Sequence, residues 1–383
     1  LSKVRTMMLL MTVNLAFTFP MSVFGSIIVA YEDFVFQKLV NITRIILNPL
    51  VMIAMLMLGY RAIGMTVITT LFNVVTLLVN CWYCFHKIHI RIYFGHFKWG
   101  FLKEVSIYSF WIFLNAIMDR IYWSSGQFIL GMYKGAVAVA VYAVAIQLQG
   151  IYMSFSTAIS GVFLPKVTAM VAKENNEKAI SDLFIRMGRI QYAIMAFILT
   201  GFILFGKVFI YFWAGSDYDE AYYIALLFFI PLTIPLIQNL GIIILQARNQ
   251  MRFRCVLYVV IAFVSLGISI PLARLYGGIG CALGTVFALV VGQIIAMNIY
   301  YHRRIHIDIV RFWKEIFRMS LVPILLGGVG YCFLNMITLT NAWELGLAIL
   351  LFSLIYVPLF WYMGLNGYEQ SLFREPLKRL LKI

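Results

Sequence analysis

The stretch Ile190-Gln-Tyr-Ala-Ile-Met-Ala-Phe-Ile-Leu-Thr-Gly-Phe-Ile-Leu-Phe-Gly-Lys-Val-Phe-Ile-Tyr-Phe-Trp213 contains a single charged residue, Lys207. A helix of that length rises roughly 36 Å, which is enough to cross the hydrocarbon core of a bilayer, about 30 Å thick. Similar apolar runs recur along the chain, so we predict an all-α integral membrane protein of about eleven transmembrane helices. They cover residues 7–30, 39–59, 62–83, 105–131, 137–163, 190–213, 221–246, 254–274, 278–301, 319–338 and 344–364.

The composition excludes an ordinary soluble fold. Hydrophobic residues make up 63% of the chain and charged residues 12%, whereas about 25% of residues are charged in soluble domains. The net charge of +15 does not indicate nucleic-acid binding, because the basic residues are spread over short loops and form no continuous surface. Membrane lipid is therefore an expected partner, and nucleic acid is not.

The basic residues are distributed unequally between the two sides of the membrane. When the helices are threaded alternately, most of the 30 Lys and Arg residues fall in one set of loops, which includes Arg189, Arg248, Arg252 and Arg254. Cytoplasmic loops carry an excess of Lys and Arg. We therefore predict a multi-pass protein of the bacterial cytoplasmic membrane, with these loops and the C-terminus in the cytoplasm.

The chain also contains an internal repeat. Lys87-Ile-His-Ile-Arg-Ile92 corresponds to Arg304-Ile-His-Ile-Asp-Ile309, and Tyr60-Arg-Ala-Ile-Gly64 corresponds to Tyr276-Gly-Gly-Ile-Gly280, at offsets of 217 and 216 residues. Both copies cross the membrane in the same direction, as in transporters with parallel repeats.

The offset predicts three parts of the chain. Residues 1–100 would form the second half of a first six-helix bundle, and residues 101–306 a complete second bundle. Residues 307–383 would form two extra helices and a basic cytoplasmic tail. Because the first bundle then lacks three helices, we expect a longer protein, in which these are helices four to fourteen of fourteen.

Four stretches carry a resemblance to a known family. They are Phe19-Pro-Met-Ser-Val-Phe-Gly-Ser-Ile-Ile-Val-Ala-Tyr-Glu32, Tyr108-Ser-Phe-Trp-Ile-Phe-Leu-Asn115 with its continuation to Gly131, Val141-Tyr-Ala-Val-Ala-Ile-Gln-Leu148 and Leu245-Gln-Ala-Arg-Asn-Gln250. Together they resemble the O-antigen and capsule repeat-unit flippases (Wzx type) of the multidrug/oligosaccharidyl-lipid/polysaccharide exporter superfamily.

The resemblance implies a fold and a function. The fold is that of a multidrug-exporter-like protein, with two pseudo-symmetric six-helix bundles around a central cavity. The substrate would be an undecaprenyl-diphosphate-linked oligosaccharide, which is moved to the outer leaflet for surface polysaccharide biosynthesis. A polysaccharide polymerase and glycosyltransferases would be its functional partners.

Asp119 and Arg120 are the deepest charged residues in the sequence, about midway along the helix 105–131. Charges at membrane depth are costly unless they face a partner or a wet cavity. Asn115 lies on the Asp119 side of the helix, and Trp123 and Gln127 lie on the Arg120 side. An inward Arg120 would suit a diphosphate, because guanidinium donates paired hydrogen bonds to phosphate oxygens. A structural ion pair with another helix is the alternative.

Arg44 lies just inside the end of the helix 39–59 that we predict to be cytoplasmic. It is either a second diphosphate-binding residue or a residue that extends to the membrane interface. Gln147 belongs to an unusually polar helix with Gln149, Ser156 and Ser160. Such amides and hydroxyls either bind sugar hydroxyls or join neighbouring helices.

Three rival functions remain open on the sequence. A multidrug or cation antiporter of the same superfamily has the same fold, and fold does not determine substrate. A lipid II flippase would be expected to have more basic residues in its cavity. A membrane-embedded polymerase or glycosyltransferase would need acidic or metal-binding residues in a sizeable aqueous loop, and we predict none. We expect no enzymatic activity, no metal site and no cofactor, while coupling to H+ or Na+ stays open.

Overall fold

The computed structural model describes residues 2–31, 33–60, 62–90, 99–161, 167, 169–170, 177–248, 250–334, 341–367 and 369–371. Within them every regular element is a helix. Several predicted features lie outside the described residues: Arg91 and Ile92 of the repeat, the helix ends at 162–163 and 335–338, and the basic tail from residue 372.

The described α-helices are numbered in chain order. They are α1 Ser2–Ala30, α2 Phe34–Met57, α3 Ala62–His86, α4 Trp99–Tyr133, α5 Ala136–Gly161, α6 Glu177–Ala214, α7 Asp219–Ile237, α8 Asn239–Ala247, α9 Arg252–Leu289, α10 Met297–Arg303, α11 Ile309–Met319, α12 Leu321–Leu334 and α13 Ala342–Met363.

Ten described helical segments are long and apolar enough to cross a membrane. One of them, Arg252–Arg303, has 52 residues, which corresponds to roughly 78 Å of helix and exceeds a single crossing. This segment folds back at Gly277, where the backbone has φ 62°. The two arms then lie side by side, since Ser269 Oγ donates to the carbonyl of Cys281 at 3.1 Å. The ten segments therefore contain the eleven predicted crossings.

The chain divides into two compact units, Leu1–Trp99 and Gly100–Ile383. In the first unit α3 packs along α1 and α2. In the second unit α7 packs against α5, α6 and α9. Its residues Ile224, Phe228 and Leu232 are buried, so α7 lies at the centre of the second unit's core. The further boundary that we place at residue 306 stays a prediction.

The repeat seen in the sequence is also present in the local structure. The rings of Phe36 and Tyr83 stack with centroids 3.6 Å apart, and those of Phe253 and Tyr300 stack at 4.0 Å. Both residues of the second pair follow those of the first by 217 positions. In each unit this contact joins the start of one helix to the end of the next. The repeat is therefore seen in the structure at this contact, while its parallel direction through the membrane stays a prediction.

The predicted single helix 221–246 is broken. It consists of α7 and α8, which are separated at Gln238 (φ −102°). Pro231 and Pro235 lie in α7 and have no backbone N–H, so the helical hydrogen-bond ladder is incomplete just before the break. The polar pair Gln238-Asn239 lies at the break, but two polar residues in an otherwise apolar run do not by themselves predict the end of a helix.

Arg189 is a second departure from the sequence analysis, which placed it in a cytoplasmic loop. The helix α6 begins at Glu177, well before the predicted start at 190, and Arg189 is buried within it. Its guanidinium bonds Glu369 at 2.5 Å and Glu315 at 2.6 Å. These two bonds fasten α11 and the segment after α13 to α6.

Candidate functional site

Arg120 lies on the exposed side of α4, and no hydrogen bond or ion pair of its side chain occurs among the described residues. The opposite side of this helix is buried, and there Tyr122 donates to the carbonyl of Thr285 at 2.6 Å. The orientation of α4 is therefore set by its buried side. Arg120 projects away from the core of the second unit, where a membrane-embedded cation still needs a partner.

Asp119 points to the other side of α4 and is half-buried. Its charge interacts with that of Arg254 on α9. Arg254 is 8% exposed, and its guanidinium bonds the hydroxyl of Tyr258 at 2.9 Å while lying 4.3 Å from that ring's centre. Asp119 therefore lies on the side of α4 where its charge interacts with that of Arg254, but among the described residues no hydrogen bond or ion pair joins the two.

Arg254 is predicted at the start of the helix 254–274, among the basic residues of the cytoplasmic side, and not as a candidate site residue. The structure places it in the first turn of α9 and buries it. The available signal was its spacing of four residues from Tyr258, which places the two on one helix face. Arg254 lines a cavity of only about 20 Å³, room for roughly one water molecule. This cavity therefore has no space for a large ligand at Arg254.

The other predicted residues of α4 and α5 separate into buried and accessible ones. Asn115 is buried, and its Oδ1 has no hydrogen-bond partner among the described residues. Trp123 is half-buried and meets the ring of Phe228 edge-on at 5.9 Å. Gln127 is half-buried and Gln147 is exposed. Trp123 and Gln127 thus border the accessible side of α4, whereas Asn115 faces its packed side.

The polar residues of α5 mostly join helices. Ser156 donates to the carbonyl of Leu236 at 2.7 Å and accepts a bond from Gln191 at 3.2 Å. Asn239 donates to Ser160 at 2.8 Å. Of the two interpretations of this polar helix, helix association therefore holds for Ser156 and Ser160. Gln147 is the exposed exception.

Arg44 lies in the first unit, in the wall of a groove of about 360 Å³ between α2 and α3. It donates to Asn73 Oδ1 at 3.5 Å. Asn73 in turn donates to Asn14 and Thr18, both at 2.8 Å. The rest of the groove is almost entirely apolar; it is lined by Phe36, Leu39, Val40, Thr43, Leu47, Phe72, Val75, Thr76 and Val79.

The network around Arg44 is neutral. Within the described ranges no carboxylate pairs with its guanidinium, so the positive charge is held by amide dipoles alone. The arrangement can therefore bind an anion that carries a long apolar chain, with the charge at Arg44 and the chain along the groove.

A family model described as "polysaccharide biosynthesis protein" matches residues 3–223. The match covers more than half of the chain. The chain belongs to the polysaccharide biosynthesis protein family. This membership confirms the resemblance noted in the sequence, and the family's matched region includes Arg44 and all the residues considered on α4 and α5.

Among solved structures, the chain of this family member is similar to the lipid II flippase MurJ in an inward closed conformation. The TM-score is 0.64 at 17% sequence identity, over 93% of this chain and 74% of that chain. At that identity the similarity establishes the fold, and it confirms a multi-helix membrane architecture. No curated protein matches the sequence.

Proposed function

We propose that this protein transports undecaprenyl-diphosphate-linked oligosaccharide repeat units across the bacterial cytoplasmic membrane for surface polysaccharide biosynthesis. The observation that carries the proposal is Arg44, a guanidinium without a carboxylate partner in the wall of an apolar groove. Membership of the polysaccharide biosynthesis family supports this class of substrate. The protein would act as a transporter and would not alter the bonds of its substrate.

The chemistry of the groove suits a lipid diphosphate. Arginine donates two parallel hydrogen bonds to phosphate oxygens, and such charge-assisted bonds are roughly twice as strong as neutral ones. The groove is about as apolar as the bilayer interior, so a polyprenyl chain can enter it from the membrane without exposing apolar surface to water. In the proposal, the diphosphate pairs with Arg44 and the first isoprene units lie along Leu39, Leu47 and Val75.

Arg120 is the second diphosphate-binding residue of the proposal. It is exposed on α4 and shares its side of the helix with Trp123 and Gln127, which would contact the sugars together with Gln147. Asp119 and Asn115 lie toward the packed side of α4 and would act as positioning residues. Asp119 would do so through Arg254, with which its charge interacts.

Transport is tested with the full chain in liposomes that contain a nitrobenzoxadiazole-labelled polyprenyl-diphosphate oligosaccharide. Dithionite bleaches only the outer leaflet, so transport appears as loss of the protected fraction. We expect Arg44→Ala to slow transport at least tenfold and Arg44→Lys to slow it less, because lysine keeps the charge without the paired geometry. Arg274→Gln, which removes an exposed arginine that bonds Tyr133, is the matched control and should transport normally.

Three outcomes would overturn the proposal. Export of cationic dyes without movement of the lipid would indicate a multidrug or cation antiporter. Extension of the sugar chain or release of the lipid carrier would indicate an enzyme. Equal transport by wild type and Arg44→Ala would remove the role of the groove. The orientation, with the C-terminus in the cytoplasm, is tested by labelling a cysteine introduced after residue 371 in intact cells.

A further inference from the structure

A second large pocket lies in the unit Gly100–Ile383. It has a volume of about 710 Å³ and is formed by the first part of α4 and the turn between α8 and α9. Glu104, Trp111, Gln246 and Arg252 supply its polar and aromatic lining, and Met251 with three aliphatic residues of α4 supplies the rest. The volume is within the range of small-molecule sites.

Trp111 is held in place from several sides. Its backbone carbonyl accepts a hydrogen bond from Cys255 Sγ at 3.5 Å, and its ring packs on the core of the second unit. The guanidinium of Arg252 lies 5.9 Å from the centre of that ring. A ligand that lies against Trp111 therefore brings an attached anionic group within reach of Arg252. The aromatic platform and the cation act as one binding surface.

The remaining polar groups distinguish between possible ligands. Glu104 and Gln246 are exposed at the pocket. A carboxylate only accepts hydrogen bonds, while an amide both donates and accepts. Glu104 repels a bare phosphate but accepts bonds from sugar hydroxyls. The combination of tryptophan, carboxylate, amide and guanidinium therefore favours a sugar linked to phosphate over a simple anionic lipid.

We propose that this pocket binds a pyranose joined to phosphate, with the sugar against Trp111 and the phosphate at Arg252. Resting on the proposed function, the inference makes the pocket a docking site for the headgroup of the lipid-linked oligosaccharide on the second unit. Arg252 and Trp111 would thus be binding residues additional to Arg44 and Arg120. The sugar adjacent to the diphosphate would determine affinity at this site.

Binding is measured with the full chain in phosphatidylcholine nanodiscs, in a background with Arg44→Ala and Arg120→Gln, so that the two other proposed diphosphate-binding residues do not contribute. Two probes are titrated, farnesyl diphosphate and farnesyl-diphosphate-linked N-acetylglucosamine. We expect Arg252→Ala to weaken both probes about tenfold to a hundredfold, the range for lost charge-assisted bonds. Trp111→Ala and Glu104→Gln should weaken only the sugar-bearing probe, about fivefold or more, and Trp111→Phe should restore most of the loss.

Phe113→Ala is the matched aromatic control, because Phe113 is on α4 but 62% exposed and outside the pocket. Gel filtration and thermal unfolding identify variants that do not fold, and Trp111→Phe then carries the comparison. Equal affinities for wild type, Arg252→Ala and Trp111→Ala would overturn the inference. So would an Arg252→Ala effect confined to nanodiscs with phosphatidylglycerol, since the pocket would then bind a bilayer lipid.

Transport of the labelled lipid is measured separately in liposomes. If the wild type transports the lipid, and Arg252→Ala and Trp111→Ala bind both probes with wild-type affinity, only the inferred docking site is overturned. If the wild type transports no lipid but its binding of the probes depends on Arg252 and Trp111, the proposed function is overturned and the ligand-binding role of the pocket is supported.

Discussion

His89 and His306 have the same left-handed backbone conformation, with φ of 56° and 59°. The hydrogen bonds around them match as well. Ile88 N donates to Tyr83 O at 3.3 Å, and Ile305 N donates to Tyr300 O at 3.3 Å. Each partner in the second set follows its counterpart by 217 positions. The repeated Ile-His-Ile sequence therefore encodes the same turn twice, at the end of a helix in each unit.

These turns predict an unusual mutational pattern. A left-handed conformation costs an L-residue about 1–2 kcal/mol, and glycine avoids that cost. We expect His306→Gly to preserve or raise thermal stability and His306→Val to lower it by about 1–2 kcal/mol, with the same order at His89. His302→Gly, within α10, should instead destabilise by roughly 0.5–1 kcal/mol. Thermal unfolding in detergent measures the stability of each of these variants. If glycine destabilises the protein at both position 89 and position 306, the shared left-handed turn is contradicted.

The fold-back of α9 depends on close packing at Gly284. A Cβ at this position would lie 2.4 Å from Ser269 Oγ and 2.6 Å from its backbone N, so one arm would have to move. We expect Gly284→Ala to destabilise the protein by about 1–3 kcal/mol, as overpacking does. Gly267, in the same helix, has no neighbouring atom within 4 Å of a Cβ. Gly267→Ala should therefore be neutral or stabilising by up to about 1 kcal/mol, and equal melting temperatures would argue against the fold-back.

The buried ion cluster of Arg189 predicts a strong effect of a single charge. Glu369 is fully buried and Arg189 nearly so, and removal of one partner of a buried pair costs about 3–5 kcal/mol. We expect Arg189→Ala to unfold at a much lower temperature and to expose the C-terminal segment to protease. Arg311→Gln breaks an exposed pair with Asp182 at 2.7 Å and should cost at most about 1 kcal/mol. Comparable losses in the two variants would contradict the assigned role of Arg189.

Asp119 and Arg254 should be energetically coupled. Removal of either charge leaves the other uncompensated in the membrane, so Asp119→Asn and Arg254→Gln should each destabilise the second unit. If the two charges compensate each other, the double variant should lose less unfolding free energy than the two single variants lose together, by about 0.5–3 kcal/mol. A double-mutant cycle on unfolding free energy measures this coupling. Arg120→Gln combined with Asp119→Asn is the control cycle, for which we expect additivity.

The sequence by itself determined the membrane class, the crossings and the repeat. Long apolar runs such as 190–213 require a bilayer, because water cannot solvate them and one soluble core cannot bury them. The repeated Ile-His-Ile motif specified its turn locally, through contacts within a few residues. The four family-like stretches were also sufficient to identify the polysaccharide biosynthesis family.

Only the tertiary structure decided which side chains meet. Asp119 and Arg120 are neighbours in sequence, yet Asp119 is half-buried, where its charge interacts with that of the buried Arg254, while Arg120 is exposed. Arg189 and Arg254 lie at or next to predicted helix ends, where charge alone indicates water, whereas the structure buries them with Glu369 and Tyr258 as partners. The pocket of Trp111 and Arg252 joins residues 141 positions apart. A sequence pattern records which face of a helix a residue occupies, but the partner of that face depends on how distant helices pack.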